Sequence, residues 1–113
     1  VDRLFCAIDA GLVINPDQVV AQMEGGAIYG VTTALMSAIR VERGAVVETN
    51  FHDFPVQRLA NAPAIAVEIV ESGEPPCGAG EPGVVPAAAA VASDKPWDRH
   101  AVDGVVDDTR LGR

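Results

Sequence analysis

The chain has 113 residues, the length of one ordinary domain, and its 49% apolar content suffices for a core. A net charge of −8, with eight scattered Lys and Arg, argues against nucleic acid or an anionic membrane surface as partner, because both need clustered cations. No run approaches the ~20 apolar residues of a membrane span, no signal-peptide pattern opens the chain, and Cys6 and Cys77 lack metal-ligand spacing, so a cytoplasmic protein with reduced thiols is expected.

Leu4-Phe5-Cys6-Ala7-Ile8 is a continuous apolar run closed by Asp9-Ala10-Gly11, which predicts a buried strand entering a turn with Asp9 at its end. Asn15-Pro16-Asp17-Gln18 then combines an N-cap, a proline at the first helical position, an acid in the first turn and a glutamine placed as in a capping box. A helix over 16–37 follows. Gly25, Gly26 and Gly30 lie inside it, each disfavoured by ~1 kcal/mol relative to Ala, so something must require small residues there. Gln22, Gly26 and Gly30 share one face. Either that face packs closely on a strand with Gln22 in solvent, or a flat ligand lies on it and takes a hydrogen bond from Gln22.

Val41-Glu42-Arg43-Gly44-Ala45-Val46 reads as a hairpin with Gly44 in the turn. Asn50-Phe51-His52-Asp53-Phe54-Pro55 is irregular; neighbours in an extended segment point opposite ways, so no chemistry is assigned to His52 beside Asp53. Ile65, Val67 and Ile69 alternate with polar or small residues over 64–70, the pattern of a half-buried strand. That strand delivers Glu74-Pro75-Pro76-Cys77-Gly78-Ala79-Gly80-Glu81-Pro82-Gly83. In this loop Gly78 and Gly80 permit positive φ or a close approach to a ligand, and Pro82 holds Glu81 extended. A short Ala-rich helix is predicted over 86–93, so Glu81 would stand at its mouth, beside backbone N–H groups that favour anions. Residues 94–113 turn polar around Pro96 and read as a poorly ordered tail.

In their order, Asp9–Asp17 (DAGLVINPD), Ala21–Gly30 (AQMEGGAIYG), Asn50–Pro55 (NFHDFP), Ala62-Pro63 and Glu74–Gly83 (EPPCGAGEPG) resemble the molybdenum-binding large subunits of the xanthine dehydrogenase and aldehyde oxidase family, nearest to the isoquinoline 1-oxidoreductase beta subunit type. The resemblance covers about residues 1–93 and implies an α+β fragment of a larger molybdopterin-binding domain, with mixed strands packed on one long Gly-containing helix and a short C-terminal helix. It implies that Glu81 is the general base of a hydroxylase acting on an aldehyde or an N-heterocyclic aromatic. A partly desolvated carboxylate suits that task. It further implies that Gln22, Gly25, Gly26, Gly78, Ala79 and Gly80 contact the molybdenum-pterin cofactor, in its cytosine dinucleotide form, the metal being held by the pterin dithiolene and not by side chains. Electrons would leave to iron–sulfur clusters on a partner subunit and to FAD or a cytochrome.

Two departures stand out. Cys77 replaces the family's usual glycine beside the metal-facing loop, and after Ser93 the family's helix gives way to Asp94-Lys95-Pro96-Trp97, suggesting a changed reading frame, a truncated gene or a splice. Alone, such a piece is expected not to turn over substrate. The competing expectation is a stand-alone, non-catalytic α+β module.

Overall fold

The computed structural model describes residues 1–94, so the tail expected to be poorly ordered lies outside the described residues, apart from the backbone of Asp94. In chain order the elements are β1 (Arg3–Ile8), α1 (Pro16–Leu35), the short β2 (Val41–Glu42) and β3 (Ala45–Val46), a 3-10 turn at Leu59–Asn61, β4 (Ala64–Ile69) and α2 (Val84–Asp94). β1 and β4 pair in parallel from Arg3↔Ala64 to Ile8↔Ile69, with α1 and the hairpin in the connection between them. The architecture is α+β, as the sequence implies.

α1 starts where its signals put it. Asn15 caps it, its side-chain oxygen accepting the Gln18 N–H at 3.2 Å, and Pro16 takes the first position. Only this half of the capping box forms among the described residues. β2 and β3 join through Arg43 (φ 53°) and Gly44 (φ 81°), two successive left-handed residues as a type I′ turn requires.

Burial corrects the expectation for β1. Leu4, Cys6 and Ile8 turn inward while Phe5, 77% exposed, and Ala7 turn outward, because the helices cover only one face of the two-stranded sheet. A continuous apolar run does not tell which side is covered. β4 alternates as predicted, with Ile65, Val67 and Ile69 inward. Ile8, Ala10 and Met23 form a core cluster joined by Cys6, Val13, Val19, Val67, Ile69 and Ala79.

The second packing centre joins the two helices through Ala27, Val31, Ala87 and Val91, all buried. Gly26 and Gly30 therefore face the start of α2 and not a strand. A Cβ built on Gly26 would lie 3.2 Å from the Gly83 Cα, and one on Gly30 would lie 2.9 Å from the Ala87 Cβ, 3.0 Å from the Ala88 N and closer still to the Val84 carbonyl oxygen. Beside Gly30, Thr32 is buried; its hydroxyl donates to the Ile28 carbonyl at 2.9 Å and accepts the Gln57 N–H at 3.2 Å, which ties the 55–57 segment to α1. Among the described residues no helix is long and apolar enough to cross a membrane.

Candidate functional site

Parallel pairing puts the C-terminal ends of β1 and β4 side by side, and the 70–83 loop grows from that end. It is stitched to the turn after β1. The Leu12 N–H donates to the Glu74 carbonyl at 2.9 Å, the Cys77 N–H to the Ala10 carbonyl at 3.0 Å, and the Cys77 thiol lies 3.8 Å from the Asp9 carbonyl. Asp9 Oδ1 accepts the Gly11 N–H at 2.9 Å and the Ser72 hydroxyl at 2.7 Å. These two donors, the Gly11 N–H foremost, hold the Asp9 carboxyl below its ordinary pKa. Gly11 has φ +65°, and a side chain there would collide with the Pro75 carbonyl.

Beyond Cys77 the loop alternates. Ala79 turns its methyl group into the Ile8, Ala10 and Met23 cluster, while Gly78 and Gly80 stay exposed. Neither glycine has a left-handed φ, so positive φ is not the reason for them, and among the described residues nothing lies within 4 Å of a Cβ built on either. Gly25 on α1 is open in the same way. Gly26 is buried beneath Gly83, where its small size serves the α1–α2 contact.

Glu81 follows Gly80, exposed, and its carbonyl accepts the Val84 N–H at 3.0 Å, which bends the chain into α2. Among the described residues its carboxylate has no hydrogen-bond or ion-pair partner, and neither does the exposed Gln22 amide. Gly78, Gly80, Glu81, Pro82, Val85 and Pro86 line an open depression of about 710 Å³. Gln22 does not line it; it sits one helical turn before Gly26, whose neighbour Gly83 is two residues beyond Glu81. The site residues are therefore brought together in two groups, the depression and the exposed N-terminal half of α1, joined by the Gly26–Gly83 contact. Among the described residues no three His, Cys, Asp or Glu side chains converge as metal ligands.

Sequence reasoning passed over the roles of Ser72 and Gly83. An Asp followed two residues later by Gly at a strand end is an Asx-turn signal and marks the Asp9 anchor, but its partner Ser72 is 63 residues away. His52 also differs from expectation. A turn over 51–53 lets its Nε2 come within 3.6 Å of Asp53 Oδ2, whereas an extended segment would have parted them.

Comparison with known proteins places these features in context. The family model of the molybdopterin cofactor-binding domain matches residues 1–63. The beta subunit of isoquinoline 1-oxidoreductase from Brevundimonas diminuta is 44% identical over 85 residues, covering 75% of this chain and 11% of that protein. A nicotinate dehydrogenase subunit of Pseudomonas putida is 33% identical over 94 residues, covering 82% of this chain and 8% of its own length. Among solved structures, quinoline 2-oxidoreductase from Pseudomonas putida 86 superposes with a TM-score of 0.72 at 27% identity, over 80% of this chain and 12% of that one. A Cu,Mo-CO dehydrogenase chain gives 0.74 at 23% identity, over 89% and 13%, which shows a shared fold alone. The chain thus spans about a tenth of the length of the curated relatives it matches.

Proposed function

Because the chain belongs to the molybdopterin cofactor-binding domain family, we propose that it forms part of the catalytic subunit of a molybdenum hydroxylase whose substrate is an aldehyde or an N-heterocyclic aromatic. The relatives named isoquinoline 1-oxidoreductase, quinoline 2-oxidoreductase and nicotinate dehydrogenase support an N-heterocycle. The observation that carries the reading is the Gly78-Ala79-Gly80-Glu81 run. Its alanine is anchored in the core, its glycines present bare backbone to open space, and its carboxylate is free of partners within the described residues.

Bare backbone at Gly25, Gly78 and Gly80, with no described residue within 4 Å of a Cβ built on any of them, supports a pterin cofactor lying there. Gln22 donates its amide to the cofactor, Gly25, Gly78, Ala79 and Gly80 meet it through their backbone, and Gly26 acts indirectly by seating Gly83. When bound, the molybdenum-pterin group, in its cytosine dinucleotide form, accepts the two electrons removed from substrate. Glu81 would take the proton of a water-derived hydroxyl whose oxygen forms the new C–O bond, while the C–H bond of the same electron-poor carbon breaks and its electron pair leaves to the molybdenum-pterin group; Pro82, Val85 and Pro86 line the same open depression. Electrons then pass to iron–sulfur clusters on a partner subunit and from there to FAD or a cytochrome.

The test is Glu81→Gln in the assembled enzyme. Turnover is expected to fall by at least the ~10²–10⁴-fold that a positioned base contributes, with molybdenum and pterin content unchanged. Retained turnover with full cofactor content would remove Glu81 from the role of base.

A further inference from the structure

The Asp9 carboxylate takes part in no step above, yet it bonds both to the turn after β1 and to the segment leaving β4. Its Oδ1 receives the Gly11 N–H at 2.9 Å and the Ser72 hydroxyl at 2.7 Å, and the Ser72 oxygen in turn accepts the Glu74 N–H at 3.3 Å. This relay fixes the first residues of the loop just where Leu12 reaches the Glu74 carbonyl and Cys77 reaches the Ala10 carbonyl. Gly11, whose left-handed φ the Asp9 bond holds, lies against the Pro75 carbonyl with no room for a side chain. Four residues after Cys77 comes Glu81, and between them only the Ala79 methyl group is anchored.

We propose that Asp9 is a positioning residue for the Glu81 loop, acting with Ser72 as a hydrogen-bond relay that sets where Gly78, Gly80 and Glu81 stand. The role needs an acceptor oxygen at the place of Oδ1, and the carboxylate charge strengthens the bonds that the two neutral donors make to it. The proposal rests on the assignment of Glu81 as base for its catalytic consequence, but the positioning itself is read without turnover.

Amide hydrogen exchange on the full chain reads it directly. In Asp9→Ala, protection of the Leu12 and Cys77 amides is expected to drop by about tenfold or more while the Val31 and Thr32 amides of α1 keep theirs. Asp9→Asn, which keeps an acceptor oxygen in the same place but without the charge, is expected to lose clearly less protection than Asp9→Ala. Unchanged Leu12 and Cys77 protection in Asp9→Ala, or equal losses in the Asn and Ala variants, would overturn the proposal. If Asp9→Ala loses α1 protection as well, Ser72→Ala decides: selective loss at Leu12 and Cys77 supports the relay, and no loss there refutes it. In the assembled enzyme, Asp9→Ala is expected to lower kcat by about ten- to a hundredfold at unchanged KM and molybdenum content, with Asp9→Asn losing clearly less. Should Glu81→Gln retain full turnover, the base assignment fails alone and the exchange result still stands or falls by itself.

Discussion

Gly25 and Gly30 lie five residues apart in α1, and replacing each with alanine should move stability in opposite directions. At Gly25 the added methyl group meets nothing within 4 Å and the residue is exposed. The change therefore gains the ~0.5–1 kcal/mol by which Ala exceeds Gly inside a helix. At Gly30 the same propensity gain applies, but the methyl carbon would sit 2.9 Å from the Ala87 Cβ, 3.0 Å from the Ala88 N and closer to the Val84 carbonyl oxygen. None of these is the flexible end of a side chain, so α2 must shift as a body. Overpacking of this kind costs ~1–3 kcal/mol, and the closeness of the Val84 carbonyl puts Gly30 in the upper half, for a net loss of about 1–2 kcal/mol. The two variants should then differ by about 2–3 kcal/mol, or roughly 8–24 °C in Tm for a domain of this size. Urea unfolding followed by circular dichroism measures the difference. The reasoning fails if Gly30→Ala is as stable as the parent, or if Gly25→Ala is the less stable of the pair. In the assembled enzyme Gly25→Ala carries a second expectation from the proposed cofactor contact, lower molybdenum content in spite of higher stability, since among the described residues nothing lies within 4 Å of that methyl group.

Thr32→Val should destabilise by about 1–3 kcal/mol, because the buried hydroxyl is the acceptor of the Gln57 N–H and a methyl group leaves that N–H unpaired; urea unfolding checks it, and a neutral effect would refute it. The turn over 49–53 should be acid-sensitive in a defined window. The Thr49 and Asn50 N–H groups hold the Asp53 pKa down to about 2 from an ordinary 3.8, so its contribution is complete above the higher value and is lost as pH falls through the lower one. The Thr49 and Asn50 amide proton shifts should titrate with a midpoint near 2, and a midpoint near 3.8 would contradict the hydrogen bonds. In the hairpin, Gly44→Ala should cost about 1 kcal/mol or more at φ 81°, while Arg43→Asn should be neutral or slightly stabilising at φ 53°; the ordering of the two in thermal unfolding tests the type I′ assignment.

Elements whose signals are local were legible. The start of α1 is written in Asn15 and Pro16, the inward face of β4 in Ile65, Val67 and Ile69, and the hairpin turn in Gly44. α1 stops at Leu35, short of Ser37, and α2 begins at Val84, ahead of Pro86, since proline is tolerated in a first turn. What stayed hidden depends on partners distant in sequence. That Phe5 faces outward follows from which face of the sheet the helices cover, and that Gly26 and Gly30 meet α2 follows from how the chain returns after the loop. The left-handed Arg43 was hidden for another reason, because arginine carries no preference for that region and the turn imposes it. Within the candidate site, residue types and order located the loop and its carboxylate. Which glycines meet the rest of the fold required neighbours: Gly26 is filled by Gly83, whereas among the described residues nothing lies within 4 Å of a Cβ on Gly25, Gly78 or Gly80.

The place of Glu81 follows from strand order as much as from its own loop. In parallel sheets, connections leave the carboxyl ends of the strands and ligands bind beyond them. Here Ile8 pairs with Ile69, so the turn at Asp9 and the segment at Val70 emerge together, and the Val70 N–H still donates to the Ile8 carbonyl at 2.8 Å. A slip of two residues would keep every inward side chain inward but carry the loop about 6.6 Å along the strand. Ser72 would then no longer meet Asp9, nor Gly83 meet Gly26. Hydrophobic alternation cannot prevent that slip. The Asp9–Ser72 relay, the Leu12–Glu74 and Cys77–Ala10 bonds, and the glycine contact with α1 can, and each forms in one register only. The polar residues around the loop thus do what the core cannot, by choosing among registers of similar burial the one that puts the Glu81 carboxylate beside open backbone.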